Sequence, residues 1–173
     1  MKNALLIIFV AILTALAGIY LRHSLTAPST EVLATGSLLN TTLPDLTDTP
    51  QTLKQWQGKI LIINFWATWC PPCLEEIPEF IALQKQYADK NVQFVGIAVD
   101  EKQAVLDFNA KMKVNYPLLI AGNSGTSLSR AWGNTIESVP FTAIVNPQGQ
   151  IIYRQLGEVK REELLQVIQP LIK

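Results

Sequence analysis

Ile60-Leu61-Ile62-Ile63-Asn64-Phe65-Trp66-Ala67-Thr68-Trp69-Cys70-Pro71-Pro72-Cys73 passes from a continuous apolar, β-branched run into two cysteines separated by two prolines. Ile60 to Trp66 lacks the alternation of a half-exposed strand and predicts one buried on both faces of a central sheet. Downstream, apolar residues recur at Ile77, Phe80, Ile81, Leu83 and Tyr87, which predicts a helix from Cys73 to about Ala88 with a kink at Pro78. The cysteine pair therefore falls where a buried strand ends and an amphipathic helix begins. Two residues between thiols on a first helical turn let the sulfurs approach a bonding distance of about 2.05 Å without breaking the helix. Cys70 then stands at the helix N-terminus, where unsatisfied N–H groups and the macrodipole favour an anion.

A free thiol of pKa about 8.5 is only a few per cent thiolate at neutral pH. Lowering that value to about 7 takes roughly 2 kcal/mol, whereas a helix terminus typically gives ~0.3–1 kcal/mol. Direct hydrogen bonds to the sulfur, with the Cys73 amide and thiol as candidate donors, must supply the rest. Pro71 suits the first helical position, where its missing N–H costs nothing and its φ is already helical. Pro72 removes a second donor and stiffens the ring. A structural disulfide or two idle buried thiols compete with a redox reading; the strand-to-helix junction, the preceding Trp69 and the lack of any other cysteine favour redox activity.

The sequence on either side alternates between strand and helix patterns. Leu43 to Leu46 reads as an edge piece, Asp48 to Gln51 as a turn and Leu53 to Gln57 as a helical turn. Val92 to Val99, Tyr116 to Ile120, Phe141 to Val145 and Ile151 to Leu156 read as strands, the last two joined by a turn at Asn146-Pro147-Gln148-Gly149. Helices are predicted over Lys102 to Met112, Ser127 to Trp132 and Lys160 to Ile172. The pattern implies a mixed α/β sheet covered on both faces.

At the other end, Ala4 to Leu21 is an 18-residue run without a charge, about 27 Å long as a helix and so close to the ~30 Å hydrocarbon core of a bilayer. Ala15-Leu16-Ala17 resembles a signal-peptidase site, but the apolar run continues past it through Ile19, Tyr20 and Leu21, which favours an uncleaved anchor. Residues 1–23 are thus read as a membrane anchor or signal, 24–42 as a Ser/Thr/Ala-rich tether and 43–173 as one domain outside the cytoplasm. The chain has 14 basic and 14 acidic residues; without Lys2 and Arg22, residues 24–173 carry a net charge of −2, with no electrostatic footprint for nucleic acid. His23 is the single histidine and Cys70 and Cys73 the two cysteines, which excludes His-based catalysis, a four-ligand zinc site and a disulfide scaffold.

The extended motif Phe65-Trp66-Ala67-Thr68-Trp69-Cys70-Pro71-Pro72-Cys73-Leu74-Glu75-Glu76-Ile77-Pro78, with Gly58-Lys59 before it and Val139-Pro140 before a later strand, resembles the thioredoxin-like proteins and, within them, the TlpA/ResA/DsbE group. The resemblance covers roughly residues 40 to 170. It implies a thioredoxin-like fold with an N-terminal extension and an insertion around Val99 to Trp132, preceded by one transmembrane helix. It also implies an anchored thiol–disulfide oxidoreductase of the bacterial inner membrane whose domain faces the periplasm, often a reductant in cytochrome c maturation. Its partners would be proteins with disulfides or thiols, with a membrane thiol conduit as electron donor. No prosthetic group or metal is required. Cys70 is then the exposed nucleophile, Cys73 the resolving thiol, and Pro140 a cis-proline, with the Val139 backbone pairing to a substrate strand. Trp69, Pro71 and Pro72 complete the docking surface, and Trp66, Trp56 and Trp132 are core or cover.

Unlike thioredoxin, the chain has Asn64 in place of a buried Asp. The group's substitute acid matches Glu76, three residues after Cys73 on the same helix face; burial would raise its pKa and fit it to take the Cys73 proton. An acid in a first helical turn also simply complements the dipole, and Glu75 need do no more. Two other activities belong to the same fold. A thiol peroxidase resembles a Thr-x-x-Cys arrangement with a nearby Arg, but Ala67 stands three residues before Cys70. A metal-delivery module wants a histidine near the thiols, and the domain has none.

Overall fold

The computed structural model describes residues 36–172. The anchor expected at 1–23 and the tether at 24–35 lie outside the described residues. Among the described residues no helix is long and apolar enough to cross a membrane.

The strands are β1 (Thr42–Pro44), β2 (Pro50–Thr52), β3 (Ile60–Trp66), β4 (Val92–Ala98), β5 (Leu118–Ile120), β6 (Phe141–Val145) and β7 (Ile151–Leu156). The helices are α1 (Pro71–Tyr87), α2 (Lys102–Met112), α3 (Gly125–Ala131) and α4 (Arg161–Ile168). The main sheet has the order β5-β4-β3-β6-β7. β3 is central, parallel to β4 and antiparallel to β6. β1 and β2 form a separate antiparallel hairpin, tied to the β5 edge by a bridge between Asp45 and Leu119.

Every residue of β3 is buried, because each face of the sheet meets a different apolar layer. Ile60, Ile62 and Trp66 point toward Ile77, Phe80 and Leu83 of α1, with Leu164 and Ile168 of α4 in the same cluster. Leu61, Ile63 and Phe65 point the other way, toward Leu39, Leu53, Trp132 and Phe141. The even-numbered face also carries Asn64, so the one amide in this strand looks toward α1. Phe80 reaches Phe94 of β4 at 5.3 Å between ring centroids, which pins the middle of α1 onto the sheet. In β4, a Cβ on Gly96 would lie 2.8 Å from the Leu118 side chain and 3.0 Å from the Trp66 indole nitrogen, so any larger residue there would have to displace these side chains.

Several boundaries differ from those the sequence predicts. The helix holding the cysteines runs from Pro71 through Pro78 to Tyr87; its start two residues before Cys73 follows from Pro71, whose fixed φ suits the first helical position. β5 starts at Leu118, since Pro117 has no N–H to give a ladder. α3 begins at Gly125 and ends at Ala131, earlier at both ends than Ser127 to Trp132. α4 ends at Ile168 and tightens into a 3₁₀ turn over Gln169–Leu171, where Pro170 interrupts the helical pattern. Residues 36–42 are a correction to the tether: residues 36–39 form a helical turn, Leu39 is buried and the Thr41 carbonyl accepts from Leu53 N–H. Leu39 has an apolar surface to bury, which a tether of Ser and Thr lacks. Leu39→Ala is predicted to cost about 2–4 kcal/mol of stability in denaturant unfolding; a loss below ~0.5 kcal/mol would return this segment to the tether.

Candidate active site

β3 delivers the chain to the cysteines at the edge of the sheet where β6 begins. Phe65 is paired with Phe141, so the loop leaving Trp66 and the segment entering at Pro140 emerge side by side. The Trp66 carbonyl accepts from Val99 N–H at 2.8 Å. Asp100, just past β4, then holds the loop: its Oδ2 accepts from the Thr68 N–H at 2.8 Å and the Thr68 hydroxyl at 2.6 Å. Its other oxygen accepts from Glu101 N–H at 2.8 Å. Cys70 N–H closes a turn onto the Ala67 carbonyl at 3.3 Å, and α1 starts with the next residue.

Cys70 caps α1, with Pro71 and Pro72 in the first two helical positions. Its sulfur accepts a hydrogen bond from Cys73 N–H at 3.3 Å and is bonded to the Cys73 sulfur in a disulfide with the Cα atoms 5.3 Å apart. With prolines at both intervening positions, Cys73 supplies the first backbone N–H of the helix. That donor is aimed at the Cys70 sulfur.

Exposure corrects one expectation. Cys70 is 3% exposed and Cys73 0%, so the nucleophile expected in the open is nearly covered in the oxidised state, as its side chain folds over the helix start to reach Cys73. Of the two residues, Cys70 keeps the small remaining exposure. Trp69 is 65% exposed and adds apolar area to the surface beside the pair, as does Pro71, which is also exposed. Trp66 and Trp132 are buried and Trp56 half-buried. The Val139–Pro140 peptide bond is cis; Pro140 is buried and Val139 half-buried, packed against both apolar clusters.

Glu76 is 2% exposed. It lies one helical turn beyond Cys73 on the face turned to the sheet, whereas Glu75 is exposed. Its Oε1 accepts from Asn64 Nδ2 at 2.7 Å and its Oε2 from Val159 N–H at 3.1 Å. Asn64 Nδ2 also donates to the hydroxyl of Thr142, its partner across β3 and β6, at 3.1 Å. Burial pushes the Glu76 pKa up from its ordinary 4.5 to about 7; the bonds from Val159 and Asn64 hold it down, and the Glu158 charge adds a smaller upward push. The carboxyl is therefore divided between its two protonation states near neutral pH. Thr142, Val159 and Asp100 were not singled out in the sequence. Thr142 carried a signal, as the polar residue of Phe141 to Val145, and Val159 contributes only backbone.

The Redoxin family model matches residues 27–168. The chain belongs to the redoxin family. Over 98% of its length it is 29% identical to the thiol-disulfide oxidoreductase ResA of Bacillus cereus, covering 99% of that protein. It is 34% identical to the thioredoxin-like protein YneN of Bacillus subtilis, over 72% of each chain. In fold it matches a thiol:disulfide interchange protein from Chlorobium tepidum with a TM-score of 0.68, at 24% identity, over 77% of this chain and 93% of the other. This redoxin has the thioredoxin-like fold and is a thiol-disulfide oxidoreductase of the ResA type, with its cysteine pair at Cys70 and Cys73.

The raised pKa of Glu76 has a consequence for stability. The folded carboxyl binds its proton more tightly than the unfolded one, so stability is fully present below pH about 4.5 and is lost as the pH rises through about 7. The difference corresponds to about 3 kcal/mol. Unfolding of the oxidised protein in urea at pH 4.5 and pH 8 should show wild type losing about that much relative to Glu76→Gln, which cannot ionise. Equal pH dependence in the two proteins would mean that Glu76 titrates like a surface acid.

Proposed function

We propose that this redoxin reduces disulfides in partner proteins outside the cytoplasm, held at the bacterial inner membrane by residues 1–23 with its domain in the periplasm. The reading rests above all on the Cys73 N–H aimed at the Cys70 sulfur at the start of a helix. In the reduced protein that donor and the helix N-terminus stabilise a Cys70 thiolate.

The Cys70 thiolate attacks one sulfur of the partner's disulfide. A new S–S bond forms between Cys70 and that sulfur, the partner's own S–S bond breaks, and its second sulfur leaves as a thiolate that takes a proton from water. Cys73 then gives its proton to ionised Glu76 and attacks the Cys70 sulfur. The Cys70–Cys73 disulfide forms, the intermolecular bond breaks, and the partner's first sulfur leaves and is protonated. The partner gains two electrons and two protons, and this chain is left oxidised. A carboxyl with a pKa of about 7 suits this step: enough of it is ionised at neutral pH to accept the proton, and it is basic enough to compete for it.

The partner lies against Trp69, Pro71 and Pro72 on one side and Val139 and Pro140 on the other, its backbone paired with that of Val139. Electrons return to Cys70 and Cys73 from a membrane thiol conduit, because a periplasmic pair has no soluble reductant to restore it. The ResA-type resemblance favours apocytochrome c disulfides as substrates.

Cys73→Ala in the full chain should trap covalent complexes with periplasmic partners, released by dithiothreitol, whereas Cys70→Ala should trap none. Equal trapping by both variants, or none by either, would overturn the assigned roles.

A further inference from the structure

The two oxygens of Glu76 each face an N–H donor, Asn64 Nδ2 at 2.7 Å and Val159 N–H at 3.1 Å. Two donors suit the anion. The neutral acid differs, since one oxygen then carries a hydrogen that must find an acceptor. The Val159 donor is backbone and cannot become one. Asn64 can, because a half-turn of its side-chain amide exchanges Nδ2 and Oδ1 with almost no change of shape. Two further observations fit that motion. Asn64 Oδ1 is buried and has no hydrogen-bond partner among the described residues, so the turn breaks no bond at that end. The other Nδ2 hydrogen goes to Thr142, whose hydroxyl both accepts and donates and so can serve either end of the amide.

We propose that the Asn64 amide turns over when Glu76 takes up a proton, so that Oδ1 accepts from the new Glu76 O–H and from the Thr142 hydroxyl. Asn64 and Thr142 are then positioning residues that give a buried carboxyl a partner in both of its protonation states. The one proton involved comes from solvent, and no bond other than its own is made or broken. The charged and titratable groups facing Glu76 are Glu75 and Glu79 on α1, Glu158, Lys160, Arg161 and Glu162 across the adjoining cleft, and Tyr116 ahead of β5. Arg161 is paired with Glu79 at 2.9 Å. Among the described residues only Asn64 and Val159 donate to the Glu76 carboxyl, so the amide answers to the proton on Glu76 itself. The inference concerns the oxidised chain and does not depend on the direction of electron flow.

Neutron diffraction from deuterium-exchanged crystals of the oxidised full chain at pH 5 and pH 9 tests it. At pH 9 the Asn64 deuterons should point at Glu76 and Thr142. At pH 5 they should point away, with a deuteron between Glu76 and Asn64 Oδ1. Glu76→Gln, neutral at every pH, should hold the turned orientation at pH 9 as well. Asn64 deuterons that face residue 76 at both pH values in wild type, or that face it in Glu76→Gln, would overturn the proposal. Either result leaves disulfide exchange untouched, since mixed-disulfide trapping reads a different event.

Discussion

The hydrogen bond from Cys73 N–H to the Cys70 sulfur is the contact on which the proposed function of this redoxin turns, and β3, the Asp100 clamp and α1 hold it in place. A bond of 3.3 Å to a sulfur is individually weak. It matters because the helix start is fixed: β3 is gripped by β4 and β6, the turn after it is clamped by Asp100, and Phe80 pins α1 to the sheet. A sulfur anion formed there would meet a donor already in place. Prolines at both intervening positions leave that donor without a nearby competitor.

One turn further along, α1 carries a second feature that a core of this size rarely admits: a carboxyl almost wholly removed from water. Its cost is limited by two donors, one from the backbone beside α4 and one from the sole amide in an otherwise apolar central strand. The sulfur pair and the acid therefore share one rigid helix, the sulfurs at its capped end and the acid below.

Much of this was legible in the amino-acid order because strong local patterns decided it. The run Ile60 to Trp66, the helix Lys102 to Met112 and the hairpin of Phe141 to Val145 with Ile151 to Leu156 appear at the predicted residues, each bounded by polar or turn-forming neighbours. The departures come from context. β5 starts only at Leu118, because Pro117 has no N–H to give the ladder. Leu39 is drawn into the fold by a layer contributed mostly by residues far along the chain. At the site, the cysteine pair and its place at a strand-to-helix junction could be read directly. The burial of Cys70 could not, since it follows from a side chain bent back over its own helix, nor could the Asn64–Thr142 contact, which exists only once β3 and β6 are in register. The membrane-facing readings concern residues 1–23, outside the described residues.

The most direct measurement is the thiolate absorbance of the reduced full chain against pH, in wild type and in the two single-cysteine variants. The first thiolate should form well below the ~8.5 of a free thiol, and it should survive in Cys73→Ala and vanish in Cys70→Ala. A Cys70 that ionises at or above the free value, or only after Cys73, would contradict the account.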